Sequence, residues 1–453
     1  MIPSQAGAVR RMVGRSRQTS QKEGNSMKLI DRMKAPVYDR LTALGRSKLA
    51  EMYSRCFEST WETTLQRSEG TVFLVTGDIP AMWLRDSSAQ VYHYLPFARE
   101  YQEAGDAICQ LMKRQFMYIN LDPYANAFNR EPNGACWEHD DTNFAPGAEP
   151  WIWERKYEID SLCYPIRLAH GFWKHTGRTD WLDDSFIKAA GAILTVWETE
   201  QHHAEKSDYY FNRTNCPASD TLPCGGRGNP VAYTGMTWSG FRPSDDACRY
   251  GYLIPSNFFA VRALEMLTEM LSSIRPDESL LARAHKLHEE IKRGLERHAV
   301  VEHPEFGSVY AYEVDGRGNF HLMDDANVPS LLSLPYLGCV PADDPVYLNT
   351  RKMLLSPVNP YYYEGTAAKG VGSPHTPPGY VWPISLCIQG LTSTDPEEIR
   401  SLADTLSAID ADTFLMHEGV DVNNPENFTR EWFAWANSIF SEFIEKAVNY
   451  MKP

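Results

Sequence analysis

The 453-residue sequence contains no long apolar run, and none of its hydrophobic segments reaches the roughly 18 residues that a membrane-spanning helix needs. Hydrophobic residues still make up 43% of the chain and charged residues 23%, an ordinary globular composition that can bury a sizeable core. We therefore expect a soluble protein with no membrane partner.

Positive charge is also scarce. The chain has 44 Lys and Arg residues against 59 Asp and Glu residues, which gives a formal net charge of -15. Proteins that bind nucleic acid or an anionic membrane surface need a basic face, and the sequence offers none in its main part. The composition thus argues against nucleic acid as a partner and against anionic substrates.

The N-terminal segment is the exception to this acidic balance. Residues 1–22 carry five basic side chains and no acidic one, and no apolar stretch follows as a secretory signal would require. One interpretation is an organelle-targeting segment; a simpler one is a disordered extension or a start placed upstream of Met27. We expect residues 1–26 to be a disordered basic extension and residues 27–453 to form one domain.

Motifs for metal, phosphate-loop and serine-esterase chemistry are missing. The nine cysteines include no C-x-x-C pair, and no D-x-[DN]-x-[DN]-G, H-E-x-x-H, G-x-x-x-x-G-K-[ST] or G-x-S-x-G pattern occurs. We therefore expect no metal and no cofactor. Several cysteines lie among apolar residues, which favours buried reduced thiols and a cytoplasmic location, although a local disulfide between Cys216 and Cys224 stays open.

Apolar residues recur at helical spacing in about ten segments, whereas strand-like alternation is confined to short pieces such as "GSVYAYEVDG" at 307–316, where a Gly-bearing turn predicts a hairpin. The predicted helices span 38–64, 86–118, 158–176, 181–204, 250–273, 277–298, 327–337, 380–392, 396–409 and 430–450. Long loops, of a kind that is often functional, occupy 120–157, 207–249, 356–380 and 411–429. The pattern predicts an all-α fold in which paired helices form a toroid with long loops on one side.

Aromatic residues stand beside carboxylates in several of these segments, notably "WIWERKYEID", "MTWSGFRPSDD" and "FTREWFAWAN". Trp and Tyr faces pack on the apolar faces of sugar rings, while carboxylates, Arg and Asn bind hydroxyl groups. Core packing is the alternative for any single aromatic, and it suits Trp435 and Phe440, which lie at helical spacing. Together the clusters indicate a carbohydrate site.

Glycoside hydrolysis needs two carboxyl groups on opposite sides of the scissile bond, one protonated and one ionised. Asp245 and Asp246 form a doublet beside Trp238, where desolvation and the neighbouring carboxylate would raise the pKa of one of them, as a general acid requires. The same "PSDDA" also fits a helix start with Ser244 or Asp245 as N-cap. Glu418, in a loop rich in Gly, Asn and Pro, either holds a water or is a solvated loop acid.

Three other features have weaker signals. Trp83 in "AMWLRD" precedes Arg85 and Asp86, and Asp86 also fits the capping of a helix that begins one residue later. His375 in "GVGSPHTPPGY" fits a contact to a ligand hydroxyl or to backbone groups of its loop. The doublet Asp324–Asp325 is most simply an N-cap for the helix predicted at 327.

The longest motifs identify a relative. In chain order, "TGDIPAMWLRDSSAQV", "DPYANAFNREPNG", "WERKYEIDSLCYP", "YTGMTWSGFRPSDDACRYGYLIPSN", "MDDANVPSLLSLPYLG", "KGVGSPHTPP" and "FTREWFAWANSIFSEF" resemble the glycoside hydrolase family 125 exo-α-1,6-mannosidases. The resemblance runs from about residue 38 to 450. It implies an (α/α)6 barrel, with short β-hairpin pieces and long loops on the active-site face, that forms a single catalytic domain.

The resemblance also implies an activity: metal-independent removal of non-reducing terminal mannose from α-1,6-mannosides such as those of N-glycans, with inversion at the anomeric carbon. By the family's pattern Asp245 is the general acid, with Asp246 as the fallback, and Glu418 is the general base. Inversion implies that the carboxyls of Asp245 and Glu418 lie roughly 6.5–9.5 Å apart. The substrate contacts it implies are Asp78, Trp83, Arg85, Asp86, Arg242, Asp246 and His375.

Two alternatives remain at this point. An inverting α-glucosidase on the same barrel is possible because a fold does not specify the sugar. A catalytically silent mannoside-binding protein would keep the aromatic residues without turnover. The basic extension is not part of the family's shared core, so the resemblance says nothing about it.

Overall fold

The computed structural model describes residues 28–68 and 70–452, so the predicted basic extension at 1–26 lies outside the described residues. Helices dominate the described chain, which confirms the all-α prediction. They are α1 (Leu29–Ala43), α2 (Ser47–Ser59), α3 (Leu84–Tyr92), α4 (Gln102–Leu121), α5 (Ile159–Thr176), α6 (Asp184–Glu200), α7 (His203–Lys206), α8 (Pro223–Gly226), α9 (Ile254–Ser273), α10 (Glu278–His298), α11 (Pro345–Leu354), α12 (Pro383–Thr392), α13 (Pro396–Ala408) and α14 (Ala434–Ala447).

The long helices alternate along the chain between an outer and an inner ring. In the inner ring, α14 packs on α3, α3 on α5, α5 on α9, and α12 on α14. Behind them α2 packs on α14, α4 on α5, α10 on α9, and α13 on α12. With α6 and α11 in the outer ring and residues 327–338 between α9 and α12 in the inner one, this is an (α/α)6 barrel.

The inner position between α9 and α12 is irregular. The helix predicted at 327–337 is wrong, because this segment forms a series of turns. Pro329 and Pro335 lack the N–H that a continuous helix would use. The carboxylate of Asp324 accepts hydrogen bonds at 2.9 Å from two backbone N–H groups within the segment, so it closes a turn and caps no helix.

Two other predicted helices are each divided in the structure. The segment 38–64 covers the end of α1, a turn and α2, and Gly45 in that turn has a φ of +73°, which favours glycine. The segment 86–118 covers α3, a 3-10 turn at Leu95–Phe97 and most of α4. Apolar periodicity continues across both breaks because the helices on either side face the same core.

The strands are short and form small antiparallel sheets. They are β1 (Leu65–Ser68) with β2 (Thr71–Leu74); β3 (Met82–Trp83), β4 (Ala127–Phe128) and β6 (Ile152–Glu154); β5 (Asp141–Thr142) with β7 (Phe211–Asn212); β8 (Tyr252–Leu253), β11 (Glu313–Val314) and β12 (Phe320–His321); β9 (Val300–His303) with β10 (Gly307–Tyr310); β13 (Tyr362–Glu364) with β14 (Lys369–Val371); and β15 (Tyr380–Val381) with β16 (Val420–Asp421). The hairpin predicted at 307–316 is wrong, because the two strands of this segment do not pair with each other: β10 pairs with β9, and β11 pairs with β8 and β12.

Several of these strands mark one face of the barrel. β3, β6, β8 and β15 lie just before the inner helices α3, α5, α9 and α12, respectively. Because every inner helix follows an outer one, the inner helices run in the same sense and their N-terminal ends meet at one face. The long loops and short sheets cover this face.

The core is apolar and largely continuous, and it includes Trp435 and Phe440, as predicted. All nine cysteines are free thiols, so the local disulfide between Cys216 and Cys224 is not formed. None of the helices in the described ranges is both long and apolar enough to cross a membrane.

Candidate active site

The candidate site lies where the N-terminal ends of the inner helices meet. α3 and α5 contribute Arg85 and Asp160 from their first turns, and the loops that precede α9, α12 and α14 contribute Asp245, His375 and Glu418. Unpaired N–H groups and the helix dipole make such N-terminal ends electropositive. This face therefore favours the clustering of carboxylates.

Asp245 lies in a tight turn with a φ of +66°. Its backbone N–H donates to the carbonyl of Arg242 at 2.9 Å, and the N–H of Arg242 donates to the carbonyl of Asp246 at 2.8 Å. No helix begins here, so the N-cap interpretation of "PSDDA" is wrong. Lys156 Nζ donates to the Asp245 backbone carbonyl at 2.8 Å, and Asn126 Nδ2 lies 3.4 Å from Asp245 Oδ1.

The charges around Asp245 contradict the expectation of a raised pKa at this residue. Burial disfavours its ionised form, but the Arg85 guanidinium, Lys156 and a hydrogen bond with Glu158 outweigh burial and lower the pKa of Asp245 to about 2. Arg85 Nη2 lies 3.5 Å from Asp245 Oδ1. The pKa of Glu158 shifts in the opposite direction, because burial and the adjacent Asp245 and Asp160 raise it well above the ordinary value despite Arg85.

Arg85 is the cation at the centre of this acidic cluster. Its Nη1 donates to Glu158 Oε2 at 2.6 Å and to Asp160 Oδ2 at 3.1 Å. Arg85, Glu158 and Asp160 are exposed by 2%, 1% and 0%, so water screens these contacts little. Arg85 is thus held rigidly beside Asp245.

Asp86 belongs to the same cluster. α3 begins at Leu84, so Asp86 lies within the first turn and the prediction that it caps a helix starting at Ser87 is wrong. Its Oδ2 lies 3.6 Å from Arg85 Nε. Burial raises the pKa of Asp86 to about 6, although the cations of Arg85 and Arg430 oppose this rise.

Glu418 approaches the site from the loop before α14. It is 6% exposed, so the alternative of a solvated loop acid is wrong. Its backbone N–H donates to the carbonyl of Thr429 at 3.3 Å, and Arg430 Nη1 lies 3.6 Å from Glu418 Oε1. Arg430 also donates from Nη2 to Asp78 Oδ1 at 2.5 Å. The predicted residue Asp78 is therefore linked to the predicted base through Arg430.

Asp246 and His375 form a further charged pair of the site. His375 Nδ1 is 3.6 Å from Asp246 Oδ1, and Asp246 is 4% exposed. Burial alone would lower the pKa of His375, but Asp246, Glu418 and Asp245 outweigh burial and raise it to about 9. At neutral pH a protonated imidazole therefore faces three acids.

Arg242 occupies a more buried position than a substrate contact requires. Its Nε donates to Glu313 Oε1 at 2.6 Å, and Glu313 also accepts from two backbone N–H groups of the same loop. Asp325 accepts a hydrogen bond from Ser244 Oγ at 2.6 Å, so it too supports the Asp245 turn and does not cap a helix. A contact between Arg242 and a sugar stays a prediction.

Trp83 lies on β3, which pairs with β4, and it is 6% exposed. It packs with Ala81 and Ala127, with Trp153 against them. Its Nε1 is buried and has no hydrogen-bond partner in the described part of the chain. A contact between Trp83 and a sugar stays a prediction.

Sequence reasoning missed several residues of the site: Asn126, Lys156, Glu158, Asp160 and Arg430. A usable signal was present in "WERKYEID", where four charged residues, the first of which ends β6, directly precede an apolar helix. Charged side chains in a segment that must be buried require partners, and this need identifies them as site residues. Arg430 had no such local signal.

The fold and the acid cluster together define a class of protein: an (α/α)6 barrel whose site is of the glycosidase type. A glucoamylase from Saccharomycopsis fibuligera shares this fold with a TM-score of 0.54 and 11% identity, over 92% of this chain and 97% of that chain. This likeness shows the fold alone.

The chain belongs to the GH125 family of metal-independent α-mannosidases, whose sequence model matches residues 46–445. A Streptococcus pneumoniae metal-independent α-mannosidase, solved in a non-productive substrate complex with α-1,6-mannobiose, is similar with a TM-score of 0.90 and 45% identity, over 93% of this chain and 99% of that chain. The meiotically up-regulated gene 157 protein of Schizosaccharomyces pombe is 40% identical over 418 residues, which are 87% of this chain and 81% of that protein.

Proposed function

We propose that this protein is an inverting exo-α-1,6-mannosidase that removes non-reducing terminal mannose from α-1,6-mannosides, including N-glycan fragments, without a metal ion. The observation that carries the proposal is the 45% identity, at a TM-score of 0.90, to the Streptococcus pneumoniae complex with α-1,6-mannobiose. The end-wise action and the inversion rest on the motifs that resemble the family's exo-acting members.

In the proposed mechanism, Glu418 is the general base and Asp245 the general acid. Glu418 takes a proton from a water that attacks the anomeric carbon, while Asp245 donates a proton to the glycosidic oxygen as its bond to that carbon breaks. The two residues come from different loops, and each faces the His375 imidazolium.

The terminal mannose is proposed to lie against the wall formed by the loop before α3. Buried carboxylates and guanidinium groups bind sugar hydroxyls in pairs, and a Trp face packs on the ring. The proposed contacts are Asp78, Trp83, Arg85, Asp86, Arg242, Asp246 and His375.

The experiment that tests this proposal is proton NMR of α-1,6-mannobiose during digestion, in the presence of EDTA. The proposal expects β-mannose to appear first and α-mannose to follow by mutarotation. If α-mannose appears first, inversion is wrong; if EDTA abolishes turnover and calcium restores it, metal independence is wrong.

Two further measurements separate the alternatives. Hydrolysis of an aryl α-glucoside in preference to the aryl α-mannoside would favour an α-glucosidase on the same barrel. Calorimetric binding of mannobiose with no product would favour a silent binding protein. Both proposed carboxyls are present in the sequence, which favours turnover over binding alone.

We further propose that residues 27–453 act as one catalytic domain. The family match ends at residue 445, within the last helix α14, and the first and last inner helices pack on each other. A cytoplasmic location remains a proposal that rests on the free thiols.

A further inference from the structure

The site contains more carboxyl groups than its central cation can balance. Four acids each have a carboxyl oxygen within 3.6 Å of a nitrogen of the Arg85 guanidinium. If all were ionised, four negative charges would surround this guanidinium, because the neighbouring cations Lys156, His375 and Arg430 each contact further acids of their own. Uncompensated buried charge is strongly unfavourable. At least one of the group must keep a proton. The four acids are Asp86, Glu158, Asp160 and Asp245.

Glu158 is the member whose contacts demand that proton. Its Oε2 accepts from Arg85 Nη1 at 2.6 Å and from Ser161 Oγ at 2.8 Å. Its Oε1 is buried without a donor in the described ranges, and its carboxyl is in hydrogen-bonding contact with that of Asp245. Two carboxylates accept only, so a hydrogen bond between them requires that one is protonated.

We propose that Glu158 is a positioning residue that shares one proton with Asp245 and supplies it to Asp245 when the glycosidic bond breaks. The inference rests on the proposed function, in which Asp245 is the general acid. It resolves a conflict within the site, because Arg85 and Lys156 favour an ionised Asp245, and an ionised carboxylate has no proton to donate.

The proton balance is simple. The Glu158 O–H bond breaks as a proton moves to one oxygen of Asp245, and Asp245 donates a proton from its other oxygen to the glycosidic oxygen. That oxygen keeps the electron pair of its broken bond to the anomeric carbon. Glu158 is left ionised beside Arg85 and recovers a proton from water through Asp245, whose side chain is 25% exposed, after the leaving sugar departs.

The charged and titratable groups around the pair agree with this assignment. Burial raises the pKa of Glu158 well above its ordinary value, while the surrounding cations lower that of Asp245 to about 2, so the shared proton resides on Glu158 at rest. Such a pair titrates as a unit. The groups that face it are Arg85 and Asp86 from α3, Lys156 from the segment before α5, Asp160 from α5, Cys248 from the loop before α9 and His375 from the loop before α12.

The test compares two substrates in the variant Glu158→Gln, whose amide keeps the size of the side chain and its contact with Arg85 but carries no transferable proton. We expect kcat/KM for α-1,6-mannobiose at pH 7 to fall at least about tenfold. We also expect the alkaline limb of its pH profile to move to lower pH by about one unit or more. We expect 2,4-dinitrophenyl α-mannoside, whose leaving group needs no proton, to be hydrolysed within about threefold of the wild-type rate.

Asp160→Asn is the matched control, because it makes the same carboxyl-to-amide change beside the same guanidinium at an equally buried site. It is expected to leave the ratio of the two activities as in the wild-type protein. An equal loss on both substrates in Glu158→Gln, or the same change of ratio in Asp160→Asn, would overturn the proposal.

A melting curve establishes whether Glu158→Gln folds. If it does not, Glu158→Asp serves instead: it keeps a proton but withdraws the carboxyl, so a selective loss on mannobiose supports the proposal and an equal loss on both substrates overturns it. A wild-type protein that hydrolyses neither mannoside would refute the proposed function itself, and this outcome is distinct from any result on the variants.

Discussion

Arg430 binds Asp78 across 352 positions of the chain, with its Nε 3.0 Å and its Nη2 2.5 Å from Asp78 Oδ1. The backbone N–H of Asp78 also donates to the carbonyl of Trp432 at 3.2 Å. The loop before α3 is thereby joined to the loop before α14, where the barrel closes. The same guanidinium reaches Glu418, so ring closure and the position of the proposed base depend on one side chain.

The first prediction follows from this pair. Arg430→Met keeps the apolar stem of the side chain but removes the cation beside Glu418 and Asp78, so we expect kcat on an α-mannoside to fall by about tenfold or more. Arg400→Met is the control, since Arg400 lies on the outer helix α13, where it contacts Glu397 and donates to the backbone carbonyl of Tyr450. A wild-type kcat in Arg430→Met would show that Glu418 does not depend on this contact.

The proposed acid and base are tested by Asp245→Asn and Glu418→Gln. Each is expected to lower kcat by about 10² to 10⁴-fold, because each removes one positioned proton transfer. The melting temperature and circular dichroism of both variants should stay close to those of the wild-type protein. Near-normal turnover in either variant would remove that residue from the mechanism.

A pH dependence of stability is expected from Glu442 on α14, away from the site. Burial raises the pKa of Glu442 to about 7, against the opposing effects of Arg167 and a hydrogen bond from Tyr336. The folded state holds this proton more tightly than the unfolded chain does. Its contribution to the free energy of unfolding is therefore complete below the ordinary glutamate pKa and is lost as pH rises through about 7. Glu445, whose own pKa is raised, also faces this group.

Glu442→Gln has no titrating proton at this position. We therefore expect the melting temperature of the variant, measured relative to the wild-type protein, to be about 1–3 °C higher at pH 8 than at pH 5. Glu296→Gln, at an exposed position on α10, should show no such trend. Parallel melting curves for the wild type and Glu442→Gln across this range would contradict the assignment.

Packing between the inner helices α12 and α14 is tested at Gly390, with Gly191 in the outer ring as the control. A Cβ at Gly390 on α12 would lie 2.2 Å from Cε2 of Phe443 on α14, so Gly390→Ala should destabilise the protein by about 1–3 kcal/mol. At Gly191 on α6 the nearest atom, Cδ2 of Leu280, would lie 3.7 Å away, so Gly191→Ala should be neutral or stabilise by up to about 1 kcal/mol. Urea unfolding measures both; equal stability of the two variants would contradict the close approach of α12 and α14.

Local patterns predicted much of this protein. The 3.6-residue apolar period located nine of the ten predicted helical segments, because a helix must turn one face to the core whatever it packs against. The sequence motifs also indicated the family, and they indicated Asp245 and Glu418 as the proposed acid and base. The period failed at 327–337, where Pro329 and Pro335 and the turn closed by Asp324 override it.

Charge states and cross-barrel contacts required the folded chain. Whether Asp245 is ionised depends on Arg85, Lys156 and Glu158, which precede it by about 90 to 160 positions, and electrostatic energy falls with distance in space, not along the chain. The pairing of Arg430 with Asp78 likewise exists only because α14 closes the ring on α3. The sequence specifies which acids are present and where helices begin, while the closed barrel specifies which acid keeps a proton.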